Sequence, residues 1–160
     1  MRGSDGLLAK LLVAYYGFIE VLHIIALAQA GVRLARTGAI GFPAPPPPGG
    51  WVEQLYPFLV AMAVIDAINV AVAWVFVYGY FTQARWRWWA GSATLTAAVY
   101  SAIVFAWGTL VNGAWSQRPA GYLVMSAVFV PVAALAILYV VWAISGQLWV
   151  QGKTDRYEKM

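Results

Sequence analysis

Three ionisable side chains lie deep inside otherwise apolar stretches of this sequence. Glu20 and His23 stand near the middle of one apolar stretch, and Asp66 stands near the middle of the next, with Asn69 one helical turn away. A charged side chain at the centre of a membrane helix costs about 2.5 to 3.5 kcal/mol on insertion scales, so each of these residues needs a reason to be there. Carboxyl and imidazole groups can exchange protons or bind cations.

The spacing of these residues gathers them on helix faces. Because positions three and four apart lie on one face of a helix, Tyr16, Glu20 and His23 share a face of the first helix. Asp66 and Asn69 share a face of the second helix in the same way. At a rise of about 1.5 Å per residue, antiparallel helices bring Glu20 and Asp66 to a similar depth. The sequence therefore predicts one buried polar cluster of these five residues.

The chemistry of such a cluster follows from its low-dielectric surroundings. Two neighbouring carboxyl groups would not both ionise there, so we expect the pair to hold a proton near neutral pH. With the imidazole, the cluster could relay protons, act as a general acid, or bind an amine or another cation. The alternative is a hydrogen-bonded group that only fixes the register of the helices. Tyr100 and Ser101 of the third apolar stretch are predicted at comparable depth.

Metal and haem sites are not expected within this chain alone. Glu20 and His23 form a Glu-x-x-His element, but di-iron bundles need that element twice together with two further glutamates. The chain has one histidine and no cysteine, so it also lacks the two axial histidines of a b-type haem, unless a partner subunit supplies one, and any thiolate ligand. The sequence identifies no cofactor.

Signatures of soluble enzymes are missing from the sequence. It contains no Gly-x-Ser-x-Gly elbow, no Walker loop, no dinucleotide fingerprint and no His-Glu-x-x-His element. Hydrolysis or nucleotide chemistry of the soluble kind therefore has no support, and whether the chain is an enzyme is left open.

The elements that must position the cluster are membrane helices. Hydrophobic residues make up 62% of the chain and charged residues 10%, with a mean hydropathy of +0.71, whereas soluble domains are about 25% charged. The apolar runs reach the roughly twenty residues that cross a hydrocarbon layer of about 30 Å. We predict an all-α integral membrane four-helix bundle with up-down topology, one domain over 1–160, with spans near 7–30, 57–81, 90–112 and 120–146.

The remaining segments are predicted to be a long loop at 31–56 and a short polar tail at 147–160. The centre of the loop, 42–50, is rich in proline, which lacks the amide donor for helix or sheet, so an extended polyproline II conformation is expected. That stretch is interpreted as a stiff spacer, with docking to an aromatic groove of a partner as the alternative.

The distribution of basic residues predicts the orientation. Four spans put both termini on one side, and the side richer in Lys and Arg is normally cytoplasmic. One side carries Arg2, Lys10, Arg85, Arg87, Lys153, Arg156 and Lys159, and the other carries Arg33, Arg36 and Arg118. We therefore expect both termini in the cytoplasm, although two arginines directly after the first span count against it.

Tryptophans and small residues suggest how the bundle meets lipid and packs. Indoles favour the headgroup region, and they fall at the predicted span ends at Trp51, Trp86, Trp88, Trp89, Trp115 and Trp149. The basic and aromatic turn 85–89 is expected to meet anionic headgroups and not nucleic acid.

Small residues every four positions predict contact between a third-span stripe and a second-span stripe. These stripes are Ala90, Thr94, Ala98, Ala102 and Ala106, and Ala63, Ala67 and Ala71.

Two functions remain open from the sequence. In the first, the cluster binds a lipophilic or cationic ligand or handles protons within the bilayer, and the protein works alone or as a homo-oligomer. In the second, the chain is an accessory structural subunit of a larger respiratory, photosynthetic or transport complex, and the cluster serves only to hold helices together.

Overall fold

The chain folds into long helices. The computed structural model describes residues 6–39 and 56–157, with side chains up to residue 145, and these residues contain helices and no strand. The helices are α1 (Leu7–Thr37), α2 (Tyr56–Phe81), α3 (Arg87–Val111), α4 (Ala114–Gln117) and α5 (Pro119–Tyr157). All except the short α4 are long and apolar enough to cross a membrane. The prediction of an all-α four-helix bundle is confirmed.

Helix α1 is longer than the predicted span. It has 31 residues and continues to Thr37, where Gly38 adopts a left-handed conformation with φ of 67°. The amide of Gly38 donates to the carbonyl of Leu34 at 2.9 Å, which closes the last turn in the usual way for a C-terminal glycine. The predicted loop therefore starts later than residue 31, and its proline-rich centre lies outside the described residues.

Helix α5 is also longer than the predicted span. It has 39 residues and passes through Pro131 to end at Tyr157, so the backbone is helical through most of the segment expected to be a polar tail. Pro131 lacks the amide that would bond the carbonyl of Ala127. The next carbonyl along the helix, that of Val128, accepts a hydrogen bond of 2.8 Å from the Tyr15 hydroxyl of α1. A neighbouring helix thus bonds the backbone where the proline interrupts the ladder.

The four long helices form a closed ring. Each packs against the next in the order α1, α2, α3 and α5, and α5 returns to contact α1. A tight turn joins α2 to α3, and α4 forms part of the short connection from α3 to α5. Consecutive helices are therefore antiparallel, which is the predicted up-down topology.

The interior contains two separate apolar clusters, one towards each end of the bundle. The first surrounds Phe76, whose ring lies 5.5 Å from that of Tyr139, and it includes Val13, Leu95 and Leu135. The second includes Leu59, Phe105 and Tyr122, with Trp115 stacked on Tyr122. The buried acids are in neither cluster and fall between the two along the helices. The bundle thus has an apolar cluster towards each end and buried polar side chains between the two clusters.

The predicted contact between the two alanine stripes is wrong. Ala67 and Ala71 of α2 are exposed, whereas Ala98 of α3 is buried. Burying Asp66 and Asn69 turns the Ala67 face of α2 outwards, because a helix buries one face at a time. Part of the α3 stripe instead lines a groove against α5, described below.

The tryptophans divide between interior and surface. Trp88 packs against the ring of Tyr139 at 5.0 Å, and the Trp115 indole nitrogen donates to the Thr109 hydroxyl at 2.9 Å. Trp89 is 81% exposed and Trp86 is also exposed. Trp51 and the Trp149 side chain lie outside the described part of the chain. Interface anchoring therefore fits Trp86 and Trp89, while the two inward indoles are part of the packing.

Candidate intramembrane polar site

Glu20 and His23 of α1 form the first half of the site. Glu20 is only 3% exposed, and His23 is partly buried. The imidazole Nδ1 lies 3.3 Å from the Glu20 Oε2, as the three-residue spacing on one helix face predicts. The pair points inwards because α1 buries the face that carries Val13, Tyr16 and Glu20.

Asp66 of α2 faces the same imidazole from the neighbouring helix. Its Oδ2 lies 3.8 Å from the Nε2 of His23, an ion-pair distance that is too long for a direct hydrogen bond. The Ser101 side chain of α3 hydrogen-bonds the Asp66 carboxyl. Three helices thus converge on one carboxyl group. Tyr100, predicted at this depth, is 64% exposed and points away from the bundle.

Tyr16 and Asn69 lie one turn away and link the site to α3. The Asn69 side-chain amide donates to the Tyr16 hydroxyl at 3.4 Å, and that hydroxyl lies 2.6 Å from the Thr94 Oγ1. All three side chains are buried. The Tyr16 hydroxyl also hydrogen-bonds the Glu20 carboxyl. The five residues predicted from the sequence are therefore all brought together, in one network that spans α1 and α2 and reaches α3.

A small cavity lies inside the cluster. Its volume is about 30 Å³, which is enough for a water molecule and far below the roughly 300 Å³ of a typical ligand pocket. The cavity is lined by Glu20, His23, Met62, Asp66, Asn69, Ala98, Ser101, Ala102, Phe105 and Phe129. The site can therefore hold water or a head group of similar size, but not a bulky molecule.

The imidazole lies between the two acids at unequal distances. A neutral imidazole has one ring nitrogen that donates and one that accepts. Nδ1 lies 3.3 Å from the Glu20 carboxyl and can donate to it, whereas Nε2 lies 3.8 Å from the Asp66 carboxyl, at ion-pair distance only. The geometry thus brings two acids and one base together.

No Lys or Arg lies beside the two acids. Among the described residues, those that line the cavity include neither of these basic types. The same part of the chain contains no group of three or more His, Asp or Glu residues arranged to hold a metal ion. The cluster is therefore rich in acids, with its one base, His23, between Glu20 and Asp66.

Sequence reasoning missed two parts of the site. Thr94 was assigned only to a stripe of small residues, although a threonine among alanines on an inward face is itself a hydrogen-bonding signal. Phe105 and Phe129 carry no sequence signal that distinguishes them from other apolar residues, since their role depends on where α3 and α5 pack.

Fold and site together define a small multi-pass membrane protein with a polar centre. Comparison of the chain with protein-family models, with curated proteins and with solved structures finds no match.

Proposed function

We propose that this protein binds and releases a proton inside the bilayer through Glu20, His23 and Asp66. The observation that carries the proposal is the imidazole between two buried carboxyl groups of different helices. The histidine can exchange a proton directly with Glu20, and a water molecule in the cavity would complete the path to Asp66 on α2.

The cost of charge in the membrane interior supports the proposal, because a proton taken up by the cluster reduces its negative charge. The cavity supplies room for the water that such an exchange needs.

An accessory role in a larger complex is the competing proposal. In that case the same contacts would only hold α1, α2 and α3 in register. Native mass measurement after extraction in mild detergent separates the two proposals. A monomer of 17.4 kDa or a homo-oligomer favours the proton site, and stoichiometric co-purification with large subunits favours the accessory role.

Infrared difference spectroscopy across a pH titration tests the proton site. We expect the wild-type protein in lipid nanodiscs to show a protonated-carboxyl band in the C=O stretch region that changes with pH. Glu20→Gln and Asp66→Asn should each remove or shift that band. Tyr15→Phe is the matched control, since Tyr15 is a hydrogen-bonding α1 residue that contacts Val128 and not the acids. A band absent from wild type, or unchanged in both acid variants, overturns the proposal.

We further propose that both termini face the cytoplasm. Support comes from Arg85 and Arg87, which lie at the turn between α2 and α3, on the same side of the bundle as the start of α1. The guanidinium of Arg87 lies 5.3 Å from the Trp88 ring centre, an arrangement suited to the headgroup region. Arg33 and Arg36 lie in the last turns of α1, on the opposite side.

A further inference from the structure

A second cavity opens between α3 and α5 beside the polar site. It has a volume of about 200 Å³ and is almost entirely apolar. By comparison, an engineered apolar cavity of about 150 Å³ admits benzene. The walls include Ala102 and Ala106 of α3 and Ala133 of α5, whose small side chains keep the two helices from filling the space. We call this space the α3–α5 groove.

The groove and the polar cavity share part of their walls. Ala98, Ala102, Phe105 and Phe129 line both of them. The rings of the two phenylalanines and the side chains of the two alanines therefore separate the groove from the acids. Phe129 is partly exposed, and a rotation of an aromatic ring of this kind is an ordinary side-chain motion.

The two cavities have complementary sizes and polarities. The polar cavity accommodates a group of about the size of water, and the groove accommodates a stretch of hydrocarbon. A molecule that fills both must have a small polar end and a narrow apolar chain. Among the described residues, two carboxyl groups and no Lys or Arg line the polar cavity. This lining favours a polar end that carries one positive charge, because that charge offsets the acids in the low dielectric.

We propose that the α3–α5 groove and the polar cavity together bind a lipophilic primary amine that enters from the bilayer. Its ammonium group occupies the polar cavity, which Glu20 and Asp66 line, and its chain lies along Ala102, Ala106 and Ala133. The proposal rests on the proposed proton site, since it uses the same acids. An ammonium group and a proton both offset the charge of these acids, so the amine and the proton compete.

Photolabelling in nanodiscs of zwitterionic lipid tests this proposal. The probe is dodecylamine with a diazirine in its chain, and the matched probe is the corresponding dodecanol. We expect the amine to label peptides that contain residues 98–106 and 125–133, with labelling suppressed several-fold by unlabelled dodecylamine and not by dodecanol. Equal labelling by both probes, or amine labelling spread over all lipid-facing helices, overturns the proposal.

Variants separate the groove from general partitioning into lipid. Ala106→Leu and Ala133→Leu should each reduce amine labelling several-fold, because the added carbons occupy the groove. Ala127→Leu, at an exposed α5 position that does not line the groove, is the control and should label as wild type does. Amine labelling at the wild-type level in both groove variants would contradict binding of the amine in the α3–α5 groove.

The wild-type infrared titration distinguishes failure of this proposal from failure of the proposed function. A carboxyl band that titrates, without selective amine labelling, overturns the amine site and leaves the proton site standing. Selective labelling without a titrating band supports amine binding and overturns the proton site.

Discussion

The Tyr16 hydroxyl of α1 lies 2.6 Å from the Thr94 hydroxyl of α3. These helices face each other across the ring, so this hydrogen bond joins two elements that are not neighbours in the packing order. Asn69 donates to the Tyr16 oxygen, and either hydroxyl can be the donor in the contact between Tyr16 and Thr94. The bond thus connects the polar cluster to the far side of the bundle.

Removal of this hydroxyl should destabilise the bundle. Interhelical hydrogen bonds in membranes contribute on average about 0.6 kcal/mol and up to about 1.7. We expect Tyr16→Phe to lower the unfolding free energy by an amount near the upper end of this range, because both Asn69 and Thr94 lose the hydroxyl to which they are hydrogen-bonded. The effect is measured as the free energy of unfolding in a dodecyl sulfate titration.

Thr94→Val is the matched comparison for Tyr16→Phe. The Tyr16 hydroxyl then keeps the backbone carbonyl of residue 94, 3.4 Å away, as an acceptor. The loss should therefore be smaller than for Tyr16→Phe. If Thr94→Val costs more than Tyr16→Phe, the Tyr16 hydroxyl is not the main link between Asn69 and α3.

Gly91 should tolerate no side chain. A Cβ there would lie 2.5 Å from the Tyr139 hydroxyl oxygen and 2.8 Å from the Phe76 ring. Overpacking of this kind costs about 1 to 3 kcal/mol, so Gly91→Ala should lower the unfolding free energy by an amount in that range. Gly121→Ala is the control, since nothing lies within 4 Å of a Cβ at that helical position. Equal stability of the two variants would contradict the close packing of α3 against Tyr139.

The absence of cysteine makes the orientation directly measurable. Single variants Thr82→Cys, at the α2–α3 turn, and Gln117→Cys, at the end of α4, introduce one exposed thiol on each side of the bundle. In intact cells we expect a membrane-impermeant maleimide to label only Gln117→Cys, and to label Thr82→Cys after permeabilisation. The reverse pattern would place both termini outside.

The helices and the five-residue cluster were predictable because both depend on local periodicity. Membrane-length apolar runs predict spans, and offsets of three and four residues place Tyr16, Glu20 and His23 on one face. Antiparallel neighbours then bring Asp66 to the same depth. These arguments need the rise per residue and the order of the helices, and both can be read from the chain.

The partners of each helix face were not predictable in the same way. The stripes at Ala67 and Ala98 have the same spacing, but only the second is inside, because Asp66 and Asn69 determine which α2 face is buried. The choice of Ser101 over Tyr100 depends likewise on the rotation of α3, since adjacent residues differ by about 100° around a helix. Helix rotation is decided by packing over the entire bundle, which no single segment specifies.

His23 offers the most direct measurement of the central claim, since it is the only histidine in the chain. Protein labelled with ¹⁵N-histidine in nanodiscs should give one pair of imidazole nitrogen resonances. Because Nδ1 faces Glu20 and Nε2 faces Asp66, Glu20→Gln should shift chiefly the Nδ1 resonance and Asp66→Asn chiefly the Nε2 resonance. Resonances that match a free histidine and are unchanged in both variants would contradict an imidazole held between Glu20 and Asp66.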